Sequence, residues 1–222
     1  MSRLPLLAAG ALFGAAYAAR IRPWSQRWGA TDEEVDRVWP GDEYCPYAED
    51  QATRAVTVEA PVESVWPWIL QLGQDRGGFY SYDILENLFG CEMPRVERIV
   101  PEWQQRKVGD LVWLATPERY GGKGCMMVGW LEPHRAMTLI MPDDAEEVAA
   151  GGEARHGIWS FLLNPIDDGS CRLLTRSRPG REPFGGALGQ RLFMEPAHFV
   201  MERRMLLTIR DLAEDLHHGG RF

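Results

Sequence analysis

Between Pro196 and His217 the apolar residues Phe199, Met205, Leu206, Ile209, Leu212, Ala213 and Leu216 recur on one stripe at the 3.6-residue helical period. Such a helix must bury its stripe against another surface, and this requirement constrains everything before it. Arg204, Thr208, Asp211 and Asp215 fall on the opposite side, which reads as facing water. His198 and Glu202 break the pattern. They are four residues apart, hence neighbours on the helix surface, and both project into the apolar stripe. An inward histidine and carboxylate need partners, water or a ligand.

The surface that receives the helix is a sheet. Ala52–Glu59 reads as a strand with Val56 and Val58 on one face. Pro61 opens a helix running to Leu72, and Ser81 caps a second, Tyr82–Phe89, with Tyr80 and Leu85 at staple positions. Six further strand candidates follow: Val96–Val100, Leu111–Ala115, Cys125–Leu131, Ala136–Met141, Gly157–Leu163 and Cys171–Arg178. Turns fall at Gly121-Gly122, Pro133-His134 and Asp167-Asp168-Gly169. Short turns between successive strands imply antiparallel pairing. The expected class is α+β: a curved antiparallel sheet of about seven strands, two short helices after the first strand, and the long C-terminal helix. Residues 142–154 read as a long acidic loop, a length that often serves as a lid.

Upstream, Thr31 with Glu34 forms a capping box, and the helix it starts is expected to stop at Trp39-Pro40-Gly41. Residues 40–50 read as an acidic connector. Residues 4–19 are uncharged, and Arg20, Arg22 and Arg27 follow. Three readings stand: a short membrane anchor with the body on the cytoplasmic side, a signal peptide cut near Ala16-Tyr17-Ala18, or an apolar helix docked on protein. The anchor is favoured. The organisation is then an apolar segment at 1–22, a helix and connector at 23–50, and one domain at 51–218.

Charge excludes one class of partner. The net charge is −8, and four of the 24 bases but none of the 32 acids lie in the first thirty residues. The body is therefore strongly acidic and repels nucleic acid. Cys45, Cys91, Cys125 and Cys171 form no C-x-x-C pair and read as reduced core thiols. No G-x-G-x-x-G, H-E-x-x-H or G-x-S-x-G occurs, and Gly121-Gly122-Lys123-Gly124 lacks the rest of a phosphate-binding loop. No cofactor and no metal site are expected.

The runs Ala60-Pro61-Val62-Glu63-Ser64-Val65-Trp66, Gly78-Phe79-Tyr80-Ser81-Tyr82-Asp83, Val108-Gly109-Asp110 and His198-Phe199-Val200-Met201-Glu202-Arg203 resemble bacterial proteins of the SRPBCC superfamily, in its polyketide cyclase/dehydrase-like branch. The resemblance covers roughly residues 24–216. It implies the helix-grip fold of START domains and birch-pollen allergens. It also implies a hydrophobic cavity between sheet and final helix for lipids, polyketides or other apolar molecules. It does not imply catalysis, because one fold hosts carriers, sensors and enzymes.

The expected ligand-binding residues are Tyr80, Tyr82, Trp113, Met137, Trp159, His198, Glu202 and Met205. His198, Glu202 and Tyr80 are the catalytic candidates should the chain be a cyclase-like enzyme. Against this stands a structural reading in which Glu202 pairs with Arg176 or Arg178, Ser81 caps a helix, and Asp83 and Glu86 are solvated first-turn acids. Binding of a hydrophobic small molecule leads, a cyclase/dehydrase-like enzyme is the alternative, and a protein-interaction module is the second alternative.

Overall fold

The computed structural model describes residues 17–46, 50–82, 91–181, 191 and 194–219. The helices are α1 (Arg22–Gln26), α2 (Asp32–Asp36), α3 (Val62–Leu70), α4 (Ala145–Ala149) and α5 (Glu195–His217). The strands are β1 (Ala52–Val58), β2 (Leu111–Trp113), β3 (Cys125–Glu132), β4 (Ala136–Ile140), β5 (Gly157–Asp167) and β6 (Ser170–Pro179). All six strands form one antiparallel sheet in the order β1-β6-β5-β4-β3-β2. The first and last strands of the domain thus lie side by side, and α5 packs across them. This is the helix-grip arrangement.

Strand alternation sorts the two faces. Val56, Val58, Met137, Leu139, Phe161, Leu163 and Leu173 point inward, where α3 contributes Val65, Trp66 and Ile69, and α5 contributes Met205, Leu206, Ile209 and Ala213. The outer face carries Ala55, Ala136, Leu162 and Leu174, and it is covered by the chain before β1. Trp39 lies flat in that outer cluster, and the Thr138 hydroxyl donates to the Pro40 carbonyl at 2.8 Å. Gly41 adopts φ 91°, and a Cβ there would sit 2.6 Å from the Thr138 side chain, so only glycine lets the strap lie this close.

Arg176, on the outer side of β6, fastens the strap. Its guanidinium lies 4.1 Å from the Trp39 ring centroid and pairs with Asp42 at 2.6 Å. It also donates to the carbonyls of Glu34 and Val35 at 2.8 Å and of Arg37 at 2.9 Å. Those are the carbonyls a helix end leaves without partners. Helix α2 has the expected capping box at Thr31 but closes at Asp36, before Trp39, because Arg176 terminates it.

Several expectations need correction. Residues 96–100 form no strand: the Gln71 side chain accepts from Val100 N at 3.3 Å and donates to the Arg98 carbonyl at 3.0 Å, replacing a sheet partner. The sheet therefore has six strands. The acidic stretch at 142–154 is no open loop. It contains α4, and buried Asp144 accepts from His156 N at 3.1 Å and bonds its ring Nδ1 at 3.0 Å. Thr208 is buried, because α5 is covered over a wider arc than its apolar stripe. The expected helix at 82–89, with Asp83, Leu85 and Glu86, lies outside the described residues apart from Tyr82. So does the uncharged run before Tyr17. Among the described residues no helix is long and apolar enough to cross a membrane.

Candidate functional site

The inward polar residues of α5 meet an arginine from β1. Arg54 has the parity of Val56 and Val58, so it points at α5 from the sheet. Its Nη1 donates to Glu202 Oε2 within a buried ion pair, and its Nε donates to the Ser25 carbonyl at 2.8 Å. The other carboxylate oxygen, Oε1, accepts from the Trp159 indole N–H at 2.7 Å and lies 4.0 Å from His198 Nε2. Glu202 is 2% exposed, while His198 is half-buried and reaches solvent. The expected partners Arg176 and Arg178 are excluded by alternation: they point to the outer face, where both pair with Asp42.

Burial alone would raise the Glu202 carboxyl. The charges of Arg54 and His198, with hydrogen bonds from Arg54 and Trp159, outweigh it and hold the group below the usual carboxylate range. Burial pushes His198 down; Glu202 opposes this and Arg54 adds to it, leaving the imidazole below its ordinary value. The site at neutral pH therefore consists of a fixed carboxylate, a fixed guanidinium and a neutral imidazole at the opening.

Aromatic rings pack around it. Trp159 stacks on Phe79 at 5.7 Å, lies 4.9 Å from Phe161 and meets His198 edge-on at 5.5 Å. Phe199 lies under the Arg54 guanidinium at 5.3 Å and contacts Trp24 at 5.3 Å. Two hydroxyls complete the polar end of the inner face. Thr175 is paired with Arg54 on one side and Phe161 on the other, and Ser177 lies beside Trp159. Both hydroxyl oxygens are buried without a hydrogen-bond partner among the described residues.

The expected site residues divide. Met137, Trp159, His198, Glu202 and Met205 share the inner core or its polar end. Tyr80 is in that core but turned elsewhere: its hydroxyl accepts from the Gln71 amide at 2.8 Å, its ring meets Trp68, and burial pushes its phenol well above the usual value. A Cβ on Gly77 would lie 2.4 Å from that hydroxyl, so the glycine makes room for it. Tyr82 is exposed beneath Arg204 at 5.9 Å, on the outside of α5. Trp113 also departs from expectation. Its neighbour Val112 takes the core position, so Trp113 points to the outer face of the edge strand. Ser81 donates to the Met201 carbonyl at 2.9 Å and thereby ties this segment to α5. Arg54, Thr175 and Ser177 were missed in the sequence, although each shares the inward parity of its strand. An open cleft of about 440 Å³, lined by Thr31, Glu33, Glu34, Arg37, Asn164 and Arg172, lies on the strap side and is not the expected inner chamber.

No protein-family model and no curated protein matches the chain. Solved structures do match over most of their length. The polyketide-cyclase-like protein Cgl2372 from Corynebacterium glutamicum is 16% identical, covering 78% of this chain and 96% of that one, with a TM-score of 0.38. The Aha1 dimer from Colwellia psychrerythraea is 14% identical, covering 74% and 96%, with a TM-score of 0.37. The self-sacrificing resistance protein CalC from Micromonospora echinospora is 6% identical, covering 76% and 97%, with a TM-score of 0.43. The architecture of this chain is a helix-grip fold, and that assignment rests on the strand order and the seat of α5.

Proposed function

We propose that this domain binds an apolar small molecule, lipid-like or polyketide-like, between the inner sheet face and α5. The molecule's polar group sits at the end formed by Arg54, Glu202, Trp159 and His198. The observation that carries this reading is the Thr175 hydroxyl, 0% exposed and unpartnered beside the ion pair. A buried hydroxyl left unpaired costs about 1–3 kcal/mol, a cost that a ligand oxygen or nitrogen relieves. Ser177 supports the same reading one position further along. Met137 and Met205 supply adaptable apolar walls, since an unbranched thioether repacks around varied shapes. His198 and Trp159 mark the way in, because both are only partly buried while Arg54 and Glu202 are enclosed.

The cyclase-like alternative has one observation in its favour, the neutral His198 imidazole, which suits a general base. The remaining geometry favours binding: Glu202 is locked by two donors, and the Tyr80 hydroxyl is engaged by Gln71 instead of the His198 pair.

A solvatochromic fatty-acid probe tests the reading. Titrated into the folded protein, it should show a blue-shifted, saturable emission with one site per chain. A signal that rises linearly without saturating overturns the binding function.

A further inference from the structure

We propose that the end of the molecule built from α1 and the start of α5 docks on an anionic lipid surface. Four large apolar side chains are exposed there: Ile21 at 45%, Trp24 at 56%, Met194 at 49% and Val200 at 42%. They belong to two segments held together. Arg22 bonds Glu195 at 2.8 Å and Asp50 at 2.8 Å, and the Trp24 ring meets Phe199 at 5.3 Å. Exposed tryptophan beside aliphatic side chains is the composition of a membrane-interface anchor.

Charge names the surface. Residues 17–30 contain Arg20, Arg22 and Arg27 and no acid, in a chain of net charge −8. Exposed Arg203 lies over the Trp28 ring at 4.9 Å and adds a positive charge from α5. Three acids pair with arginines here: Asp50 and Glu195 are engaged by Arg22, Asp50 also by Arg191 at 2.7 Å, and Asp32 by Arg27, so Arg20 and Arg203 carry the net positive charge of the face. A basic, aromatic end on an acidic body is attracted to anionic headgroups, while the rest of the molecule is repelled from them. The described chain begins at this same end, where Tyr17–Ile21 leads into α1. Docking here sets His198, whose ring meets Trp159 two residues from Val200, near the lipid.

The proposal is independent of the ligand reading, and the two fail separately. The test is co-sedimentation of the full chain with phosphatidylcholine vesicles, with and without phosphatidylglycerol. Binding should require phosphatidylglycerol and weaken with salt. Arg20→Gln should lower affinity about fivefold. Ile21→Ser with Val200→Ser should lower it roughly tenfold or more. Val38→Ser, at an exposed apolar residue on the strap, should change nothing, and all variants should keep the wild-type melting temperature. Equal binding by the Ile21/Val200 variant, or equal binding to neutral vesicles, overturns the proposal. So does a chain that ignores vesicles but forms a dimer that Val200→Ser abolishes, which would assign the face to a second copy.

Discussion

Glu202 lies at the centre of the polar cluster, and its energetics follow from burial. A carboxylate removed from water inside a core is tolerated because Arg54 and Trp159 satisfy both oxygens. Glu202→Gln leaves the Arg54 charge buried and uncompensated, so unfolding free energy should drop by roughly 3 kcal/mol, read as a lower denaturant midpoint; an unchanged midpoint would contradict the structural weight given to the pair. The pH response has a definite sign. The folded pKa values of Glu202 and His198 are both depressed, from ordinary values of 4.5 and 6.5. Below each ordinary value the unfolded chain takes up a proton that the folded chain refuses, so stability falls with acidification. His198 acts in the window just under pH 6.5 and Glu202 below pH 4.5. Denaturant midpoints measured against pH should therefore fall less steeply just under pH 6.5 in His198→Gln than in the wild type; equal slopes would refute the assignment. Thr175→Val tests the orphaned hydroxyl. It should leave the empty protein as stable or slightly more stable and weaken probe affinity about fivefold. Unchanged affinity would remove Thr175 from the site.

At the scale of elements, the strap before β1 is the least expected part of the structure. Trp39-Pro40-Gly41 read as a helix stop, which accounts for the chain's change of direction but not for the ring's destination. Hydrophobic patterning marks a tryptophan as buried without saying under what. The answer lies in β6, where Arg172 and Arg176 alternate outward and take hold of α2: Arg172 bonds both Glu34 oxygens at 2.7 and 2.8 Å. Trp39→Ala should cost roughly 3–5 kcal/mol and release the strap, raising amide exchange across residues 31–46 ahead of the sheet. Exchange that stays uniform would show that strap and sheet unfold as one unit. The elements of the domain proper were more legible. The stripe from Phe199 to Leu216 marked α5 through to its end at His217, and alternation at Met137/Leu139 and Trp159/Phe161 gave the faces of β4 and β5. The strand expected at 96–100 failed because its hydrogen bonds come from one buried side chain, Gln71, which local composition does not reveal.

Across the whole molecule, charge and burial divide the labour. One side of the sheet carries the core and α5, the other carries the arginine-fastened strap, and the polar end of the inner face opens beside the basic end of the chain. The fold was legible because every antiparallel pair except β1–β6 joins consecutive strands and the final helix has a single apolar face. The site was legible only in part. His198 and Glu202 stood out as polar residues in an apolar stripe, but their partners come from β1 and β5, and contacts across that separation follow from register, which sequence spacing alone does not set. Arg54 carries the missed signal: an arginine on the inward parity of a core strand needs an inward acid, and Glu202 was the one already identified. The most direct test of a ligand site at this end is the Trp159 indole N–H, followed by NMR and assigned by its loss in Trp159→Phe. As the fatty-acid probe is added, this resonance should shift and saturate together with the fluorescence signal. A probe that binds while the Trp159 resonance stays fixed would place the ligand elsewhere and contradict the inner-face site.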